Sequence, residues 1–378
     1  MDLLSKKELG YVALFQSMIL IVSFFQIGVI YGGYRLISFS LLRQKKANDI
    51  IISYLFFLFL FFSASILIVN FFFPINWFWT AGLVVGLLSL WGNWISNMHI
   101  ALGRTNKLSF ITLISIILSF TAVPLLYTHP IIGAVALIAL QPIFLVLFSY
   151  ILNKDFGFKI DFKNKLYFRL ILKLGFIPFL TGVMHYVNLQ IERWIIGFDL
   201  GIAALGEYYL VFLYVNLFAV IPAALGALNF PKFMKSLSQK DNKKGLLEIF
   251  KVYFIEIILY LILIGVGTFF IMPKLIEIFL PAHINGVQYV QIVFYGLVIF
   301  TLTDPISYII NAKLHYKQLL SIYIIALAVS IVSYSFLYFN KLGSLVNYSY
   351  VNVIFYVTMS MGYVLYFVRK GSKDFVYK

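Results

Sequence analysis

The chain has 378 residues, of which 62% are hydrophobic and 11% are charged, and its formal net charge is +15. A soluble domain of this length carries about 25% charged residues, so the composition excludes a water-soluble fold. The cations lie in short segments between apolar runs and form no single patch, so we expect no nucleic-acid partner. The chain has no cysteine, which excludes disulfides, thiolate chemistry and cysteine-based metal sites.

Apolar runs recur from end to end, and each is long enough to cross about 30 Å of hydrocarbon. Backbone groups in lipid must form their hydrogen bonds within the segment, so each run is predicted to be a helix. The sequence thus predicts an all-α polytopic membrane protein with eleven spans, at roughly residues 10–32, 50–73, 79–101, 108–127, 131–152, 171–196, 206–228, 250–272, 287–311, 318–339 and 347–368. The two longest connectors, at about 153–170 and 229–249, are rich in Lys and too short to form domains.

Lys and Arg are distributed unevenly over the connectors and chain ends. Successive connectors lie on alternate sides of the membrane. The side that includes the C-terminal end holds 22 Lys and Arg residues and the other side holds 5. The remaining two, Arg35 and Lys173, lie near helix ends. Because cytoplasmic loops are enriched in Lys and Arg, we predict that the C-terminus is cytoplasmic. Eleven spans then place the N-terminus outside, which is unusual for the sequence that begins this chain.

An unusual outside N-terminus would be explained if one helix were missing at the front of the fold. An internal repeat leads to the same expectation. Residues 8–15 are similar to 205–212, and residues 100–107 are similar to 310–317. This similarity pairs the first five spans with the last five and leaves the sixth without a partner. We therefore predict two pseudo-symmetric lobes of a twelve-helix fold that lacks its first helix: residues 1–152 with five helices and residues 153–378 with six. Such parallel repeats are typical of transporters that bind substrate between their halves and work by alternating access.

One stretch of the chain resembles a known family. The segments that carry the resemblance are 173–179 (Lys-Leu-Gly-Phe-Ile-Pro-Phe), 191–197 (Ile-Glu-Arg-Trp-Ile-Ile-Gly) and 205–209 (Leu-Gly-Glu-Tyr-Tyr). They are similar to the start of the second half of bacterial polysaccharide flippases, in the multidrug/oligosaccharidyl-lipid/polysaccharide exporter superfamily. Residues 229–232 (Asn-Phe-Pro-Lys) are also similar. Glu192 stands where that family usually has Asp.

The resemblance implies a function in building a surface polysaccharide such as capsule or the O-antigen of lipopolysaccharide. The chain would move an undecaprenyl-pyrophosphate-linked oligosaccharide from the cytoplasmic to the outer leaflet of the bacterial inner membrane. Its partners would be this lipid-linked substrate, membrane lipids and a polysaccharide polymerase. We expect no enzymatic activity and no cofactor, since no Gly-rich nucleotide loop is present.

Charged residues near or inside spans are candidate functional groups because charge in a membrane is costly. Arg35 and Lys173, near the cytoplasmic ends of their spans, are candidates to bind the pyrophosphate, although either side chain can instead reach the interface. Arg193 and its neighbour Glu192, near the outer end of the sixth span, are candidates for substrate contact and gating. The alternative for this couple is a structural ion pair.

Acidic residues in the second half are candidates for coupling to an ion. Asp304 precedes Pro305 inside the ninth span, where proline is expected to kink the helix. An acid at a kink can bind a proton or Na⁺, or it can cap the broken turn. Glu256 in the eighth span is a second candidate for ion coupling.

The third span is the most polar one and is a candidate to line a cavity. Its aromatic and amide side chains can stack on sugars or hydrogen-bond to them, but they can equally join helices to one another. The candidates to line this cavity are Trp91, Asn93, Trp94 and Asn97. His185 of the sixth span is another candidate, although a lone buried His more often packs between helices.

Two alternatives to the flippase stay open. A membrane-embedded polysaccharide polymerase or glycosyltransferase would need charged catalytic residues in outer loops, which are short here and nearly uncharged. A cation-coupled drug exporter of the same superfamily would be expected to have acids inside the spans of its first lobe, and the predicted spans there have none.

Overall fold

The computed structural model describes residues 4–39, 44–72, 77–153, 159–160, 164–238, 243–312 and 315–371. Within these ranges the chain is helical and has no strand. The α-helices are α1 (Lys6–Phe24), α2 (Val29–Phe39), α3 (Gln44–Phe72), α4 (Trp77–Ala101), α5 (Thr105–Ser119), α6 (Val123–Thr128), α7 (Pro130–Leu152), α8 (Lys165–Asp199), α9 (Ile202–Glu207), α10 (Tyr209–Ser238), α11 (Lys243–Val266), α12 (Met272–Phe279), α13 (Gly286–Leu302), α14 (Asp304–Ala312), α15 (Tyr316–Phe339) and α16 (Leu345–Tyr366).

The described helices confirm the predicted membrane fold. Ten of them, counting directly continuous segments together, are long and apolar enough to cross a bilayer. One bent pair, Gly286–Leu302 with Asp304–Asn311, passes the same test and brings the number to eleven. Each predicted span corresponds to one of these helices or to this pair.

The first predicted span differs from the expected continuous helix. It is interrupted after Phe24 by a turn in which Ile27 and Gly28 have φ values of 47° and 84°. A Cβ atom on Gly28 would lie 2.7 Å from the carbonyl carbon of Gly175 in α8. The break therefore allows two backbones to meet at glycines, a packing detail that hydropathy does not reveal.

The predicted connector at 229–249 is also different from expectation. α10 continues to Ser238 and α11 begins at Lys243, so much of this stretch is helical. Lys, Leu and Glu are good helix formers, and a helix in water is not limited by the thickness of the hydrocarbon. Hydropathy located the apolar part of each helix and missed its polar extension.

The chain divides into two compact units. Unit 1 comprises Met1–Gly10 and Met184–Lys378, and unit 2 comprises Tyr11–Val183. The division falls within α1 and α8, whereas the predicted lobes, 1–152 and 153–378, were drawn from the pairing of spans. Those lobes stay a prediction.

The interiors of the two units differ in chemistry. Unit 2 has an aliphatic core around Trp94, with residues such as Ile51, Leu90 and Ile171 fully buried. In unit 1 the largest buried side chains are mostly tyrosines, including Tyr208, Tyr253, Tyr334, Tyr348, Tyr356 and Tyr363. A buried tyrosine hydroxyl normally needs a hydrogen-bond partner, so unit 1 has a more polar interior.

Unit 1 also includes the first turn of α1. Ser5 and Glu8 form a capping box, in which the Ser5 backbone N–H donates to Glu8 Oε2 at 2.7 Å. A Cβ atom on Gly206 would lie 2.9 Å from the backbone nitrogen of Gly10. These are the two glycines that the repeat pairs, and their lack of side chains permits the close approach of α1 and α9.

Candidate functional site

Glu192 is fully buried in α8, and the side chains of Tyr208, between α9 and α10, and of Asn352 in α16 hold its carboxylate. The Tyr208 hydroxyl donates to Oε1 at 2.7 Å, and Asn352 Nδ2 donates to Oε2 at 2.7 Å. Ser349 Oγ in turn donates to the Tyr208 hydroxyl oxygen at 3.2 Å. The network joins α8 to Tyr208 and to α16. Each carboxylate oxygen accepts one strong hydrogen bond in it.

Arg193, the neighbour of Glu192, does not form the ion pair that the sequence left open. Among the described residues, the one ion pair is between Lys6 and Glu207. The Arg193 guanidinium carbon instead lies 4.3 Å from the centre of the Phe212 ring, a cation–π distance. Arg193 is 6% exposed, and its Nε has no hydrogen-bond partner in the described structure. It is a buried cation with spare donor capacity.

Asp304 lines a cavity of about 190 Å³ within unit 1. The cavity lies among α10, α13, α14 and α16, and its polar groups include the hydroxyls of Tyr308 and Tyr356 and the side chain of Thr301. No described residue donates a hydrogen bond to the Asp304 carboxylate. Because an acid without fixed donors is free to exchange a proton or hold a cation, Asp304 is the best candidate for ion coupling.

The predicted kink at Asp304–Pro305 is confirmed. α13 and α14 are bent by 46° at Thr303. Proline cannot donate the next helical hydrogen bond, and Thr303 Oγ1 donates to the Phe300 carbonyl at 2.7 Å in this turn. The bend places Asp304 at the first position of α14 and on the wall of the cavity.

Glu256 is engaged in a different way. Asn229 Nδ2 donates to Glu256 Oε2 at 2.8 Å, and Lys232 Nζ donates to Asn229 Oδ1 at 3.0 Å. The chain Lys232–Asn229–Glu256 joins α10 to α11 and partly balances the acid's charge. Its assignment to gating or ion coupling stays a prediction.

Arg35 has a structural partner that the sequence analysis missed. Its Nη1 donates to the Leu174 carbonyl at 3.2 Å. Leu174 lies four residues before Pro178, so its carbonyl has no helical donor, and the guanidinium of Arg35 supplies one. Lys173, the neighbouring candidate, is exposed. The proposed contact of either residue with pyrophosphate stays a prediction.

A matching arrangement exists in unit 1. Pro222 in α10 deprives the Phe218 carbonyl of its helical donor, and the Tyr260 hydroxyl donates to that carbonyl at 2.7 Å. Phe218 and Pro222 both line the cavity that contains Asp304. The sequence signal for both sites was available, because each proline identifies the carbonyl that needs a donor.

The polar residues of α4 are placed in two ways. Trp94 is 1% exposed, and its Nε1 donates to Asn48 Oδ1 at 3.0 Å, while Trp91 Nε1 donates to the Tyr150 hydroxyl at 3.1 Å. Asn97 Nδ2 donates to the backbone carbonyl of Asn93 at 2.8 Å, and Asn93 is exposed. Both indoles thus join helices, and Asn93 keeps its side chain on the surface of unit 2. Sugar contact by these four residues stays a prediction.

The side chain of His185 lies outside the described part of the structure. One turn further along α8, Asn188 is fully buried and its Oδ1 accepts a hydrogen bond from Ser330 Oγ at 2.7 Å. Asn188 Nδ2 has no partner in the described structure. The second half of α8 therefore presents a row of buried polar groups.

Asp49 lies near the start of α3, which begins at Gln44, and it is 7% exposed. It comes just before residue 50, where the predicted span begins, so the first half has a buried acid at the edge of a span. The expectation that the predicted spans of the first lobe hold no acid stays a prediction.

Comparisons with solved structures identify proteins of the same fold. A multidrug resistance MATE family transporter of the MOP superfamily, in an inward-facing conformation, is 13% identical, with a TM-score of 0.74 over 98% of this chain and 91% of that one. An outward-facing MATE transporter of that superfamily is 14% identical, with a TM-score of 0.63 over 98% and 89%. The lipid II flippase MurJ, in an inward closed conformation, is 17% identical, with a TM-score of 0.66 over 98% and 87%.

The TM-scores establish a shared fold, and the alignments cover 98% of this chain. No family model matches the sequence, and no curated protein matches it. The solved neighbours are transporters and flippases, not enzymes. The chain is thus a multi-pass helical membrane protein with the fold of MATE transporters and MurJ.

Proposed function

We propose that this protein is a flippase that moves a lipid-linked oligosaccharide across the membrane. The observation that carries the proposal is the likeness in fold to both a lipid II flippase and MATE exporters over 98% of the chain. The residues that resemble polysaccharide flippases, at 173–179, 191–197 and 205–209, lie in α8 and α9. The proposed substrate is an undecaprenyl-pyrophosphate-linked oligosaccharide for capsule or O-antigen.

Alternating access is the proposed mechanism. The solved neighbours include an inward-facing and an outward-facing conformation of MATE transporters. A lipid-linked sugar with a pyrophosphate needs cationic and polar groups away from lipid. Arg193 fits this need best, because it is buried and its Nε has no partner in the described structure. Arg35 and Lys173 are the proposed contacts at the Lys-rich end of the helices.

Ion coupling is assigned to Asp304 in this proposal. Asp304 lines a cavity together with Tyr308 and Tyr356 and lies at the bend between α13 and α14. Loading and unloading of a proton or Na⁺ there changes the charge beside a bent helix. Glu192 has a different proposed role, which is to hold α8 against Tyr208 and α16 during the conformational change.

A cation-coupled drug exporter is the second candidate function. It is favoured by the likeness in fold to the MATE transporters and by the buried acid Asp49. An exporter of cationic drugs needs acids to bind its substrate, whereas a flippase of a pyrophosphate needs cations. The buried cation Arg193 favours the flippase.

The proposed setting is the bacterial inner membrane with the C-terminus inside, next to a polysaccharide polymerase that uses the flipped substrate. The test is complementation of a strain that lacks its own glycan flippase. Wild-type protein is expected to restore surface glycan, Arg193→Gln to lose it, and Arg193→Lys to retain part of it. Lys274→Gln, at an exposed lysine of α12, is the matched control.

Drug sensitivity in an efflux-deficient strain separates the two candidates. A flippase restores glycan and leaves drug sensitivity unchanged. Lower drug sensitivity without glycan, from a stably inserted protein, would reject the flippase and support the exporter. Arg35→Ala is added to the series with a stability measurement, because this residue also donates to the Leu174 carbonyl.

A further inference from the structure

Unit 2 contains an apolar groove that the proposed transport function does not use. It has a volume of about 380 Å³ and is formed by the first half of α3 and the start of α8. Its surface is almost wholly apolar carbon, from residues that include Ile50, Tyr54, Phe57 and Phe168. The volume falls within the range of about 300–1,000 Å³ that is usual for ligand pockets.

The groove follows the axis of α3. Ile50 and Phe57 are seven residues apart in α3, which corresponds to about 10 Å along the helix axis. Phe57 is 51% exposed, and Leu166 beside the groove is 82% exposed. The apolar wall thus runs from the start of α3 and α8 toward the hydrocarbon, and its exposed aromatic rim suits an acyl chain.

Cations are concentrated at the same end of the groove. Lys165 is part of its lining and is exposed. Lys46 Nζ lies 5.1 Å from the centre of the Tyr167 ring, which places it beside the first turn of α8. Lys45 and Arg169 are exposed on the same two helices. Asp49, the acid on this part of α3, is 7% exposed.

An apolar groove that ends in cations matches a lipid with an acyl chain and an anionic phosphate. We propose that this groove binds an anionic phospholipid, with one acyl chain along Ile50 to Phe57 and its phosphate at Lys165. The Lys-rich ends of the helices are the predicted cytoplasmic side, and anionic lipids are enriched in the cytoplasmic leaflet. The inference holds whatever molecule the protein transports.

Native mass spectrometry of the detergent-purified protein tests the inference. The protein is titrated with phosphatidylglycerol and with phosphatidylcholine of the same acyl chains, and the affinity of the first bound lipid is measured. Wild-type protein is expected to prefer phosphatidylglycerol. Lys165→Gln should weaken that lipid about fivefold, as expected for the loss of one cation near a lipid phosphate, and should leave phosphatidylcholine unchanged.

Two pairs of variants separate the phosphate from the acyl chain. Lys274→Gln is the control for Lys165→Gln, since both remove an exposed lysine. Phe57→Ser should weaken both lipids, whereas Phe71→Ser, at a phenylalanine that is 84% exposed near the other end of α3, should weaken neither. If Lys165→Gln protein is not recovered, Arg169→Gln and the phenylalanine pair carry the test.

Equal affinity for the two lipids, or equal loss in a variant and its control, would overturn the proposal. So would undecaprenyl phosphate that binds first and displaces phosphatidylglycerol, because the groove would then belong to a polyprenyl chain. A failure of glycan complementation leaves these binding measurements unaffected, and the two proposals fail independently.

Discussion

Glu192 and Asp304 are both acids of membrane-spanning helices in unit 1, and their surroundings are opposite. Glu192 is fully buried and receives hydrogen bonds from Tyr208 and Asn352. Asp304 lines a cavity and receives none from the described residues. A carboxylate that is held by fixed donors stabilises one arrangement of helices, whereas one without them can bind and release an ion. The contrast teaches that an acid in a span is not by itself evidence of transport.

The largest expected effect is on transport by Asp304→Asn. This change removes the ionisable group and nearly keeps the side chain's shape. Transport that depends on an ion gradient should fall at least tenfold if Asp304 carries the ion, a loss equivalent to about 1.4 kcal/mol or more. The measurement is transport in proteoliposomes with and without a proton or Na⁺ gradient.

Stability should change little in that variant, since no described hydrogen bond to the carboxylate is lost. Glu277→Gln, at an exposed glutamate of α12, is the control for removal of an acid that has no proposed part in ion coupling. If gradient-driven transport survives in Asp304→Asn, Asp304 does not carry the ion. The proposed difference in role between Glu192 and Asp304 would then be rejected, and the ion site would lie elsewhere.

Glu192→Ala should have the largest effect on stability. The change leaves the Tyr208 hydroxyl and the Asn352 amide buried without their acceptor, and each unsatisfied group costs about 1–3 kcal/mol. We expect a loss of roughly 2–5 kcal/mol in the free energy of unfolding, measured by SDS titration in mixed micelles. Glu277→Ala, at an exposed glutamate of α12, is the control and should change it little. A Glu192→Ala protein as stable as wild type but inactive would show that Glu192 takes part in transport directly.

The sequence was sufficient to predict all the spans and the kink at Pro305, because hydropathy and proline act locally. It was not sufficient to separate Glu192 from Asp304. Their difference arises from Tyr208, Asn352 and the cavity wall, which come from other helices. Hydropathy also began the second span at residue 50, whereas α3 begins at Gln44, since the polar and charged residues at 44–49 lower the average at this end of the helix.

Prolines inside helices identify two backbone carbonyls whose need for another hydrogen-bond donor could have been predicted from the sequence. Pro178 and Pro222 each free the carbonyl four residues earlier, and both carbonyls have donors, Arg35 and Tyr260. The need for a donor is readable from the sequence. Its identity is not, because these donors are 139 and 42 residues away from the acceptor in the chain.

A double-mutant cycle at Tyr260 and Pro222 tests the wall of the Asp304 cavity. Tyr260→Phe should lower the free energy of unfolding by about 1–2 kcal/mol, because the Phe218 carbonyl loses its donor. In the Pro222→Ala background the helix supplies its own N–H, and the same change should cost less than about 0.5 kcal/mol. Equal costs in both backgrounds would mean that Tyr260 acts through ring packing, and the cycle is measured by the same SDS titration.

The smallest effect on the free energy of unfolding is expected at a third acid of unit 1. This acid is partly exposed, unlike Glu192. Glu207 is 17% exposed and pairs with Lys6, 35% exposed, at 3.0 Å. Exposed ion pairs contribute about 0–1 kcal/mol and are screened by salt. Lys6→Gln should therefore lower the free energy of unfolding by less than about 1 kcal/mol, and the difference should shrink as NaCl is raised. The loss in Glu192→Ala should be insensitive to salt, because its partners are buried hydrogen-bond donors. A large, salt-independent loss in Lys6→Gln would instead assign the pair to the interior of unit 1, where it would hold the start of α1 against α9 beside Gly10 and Gly206.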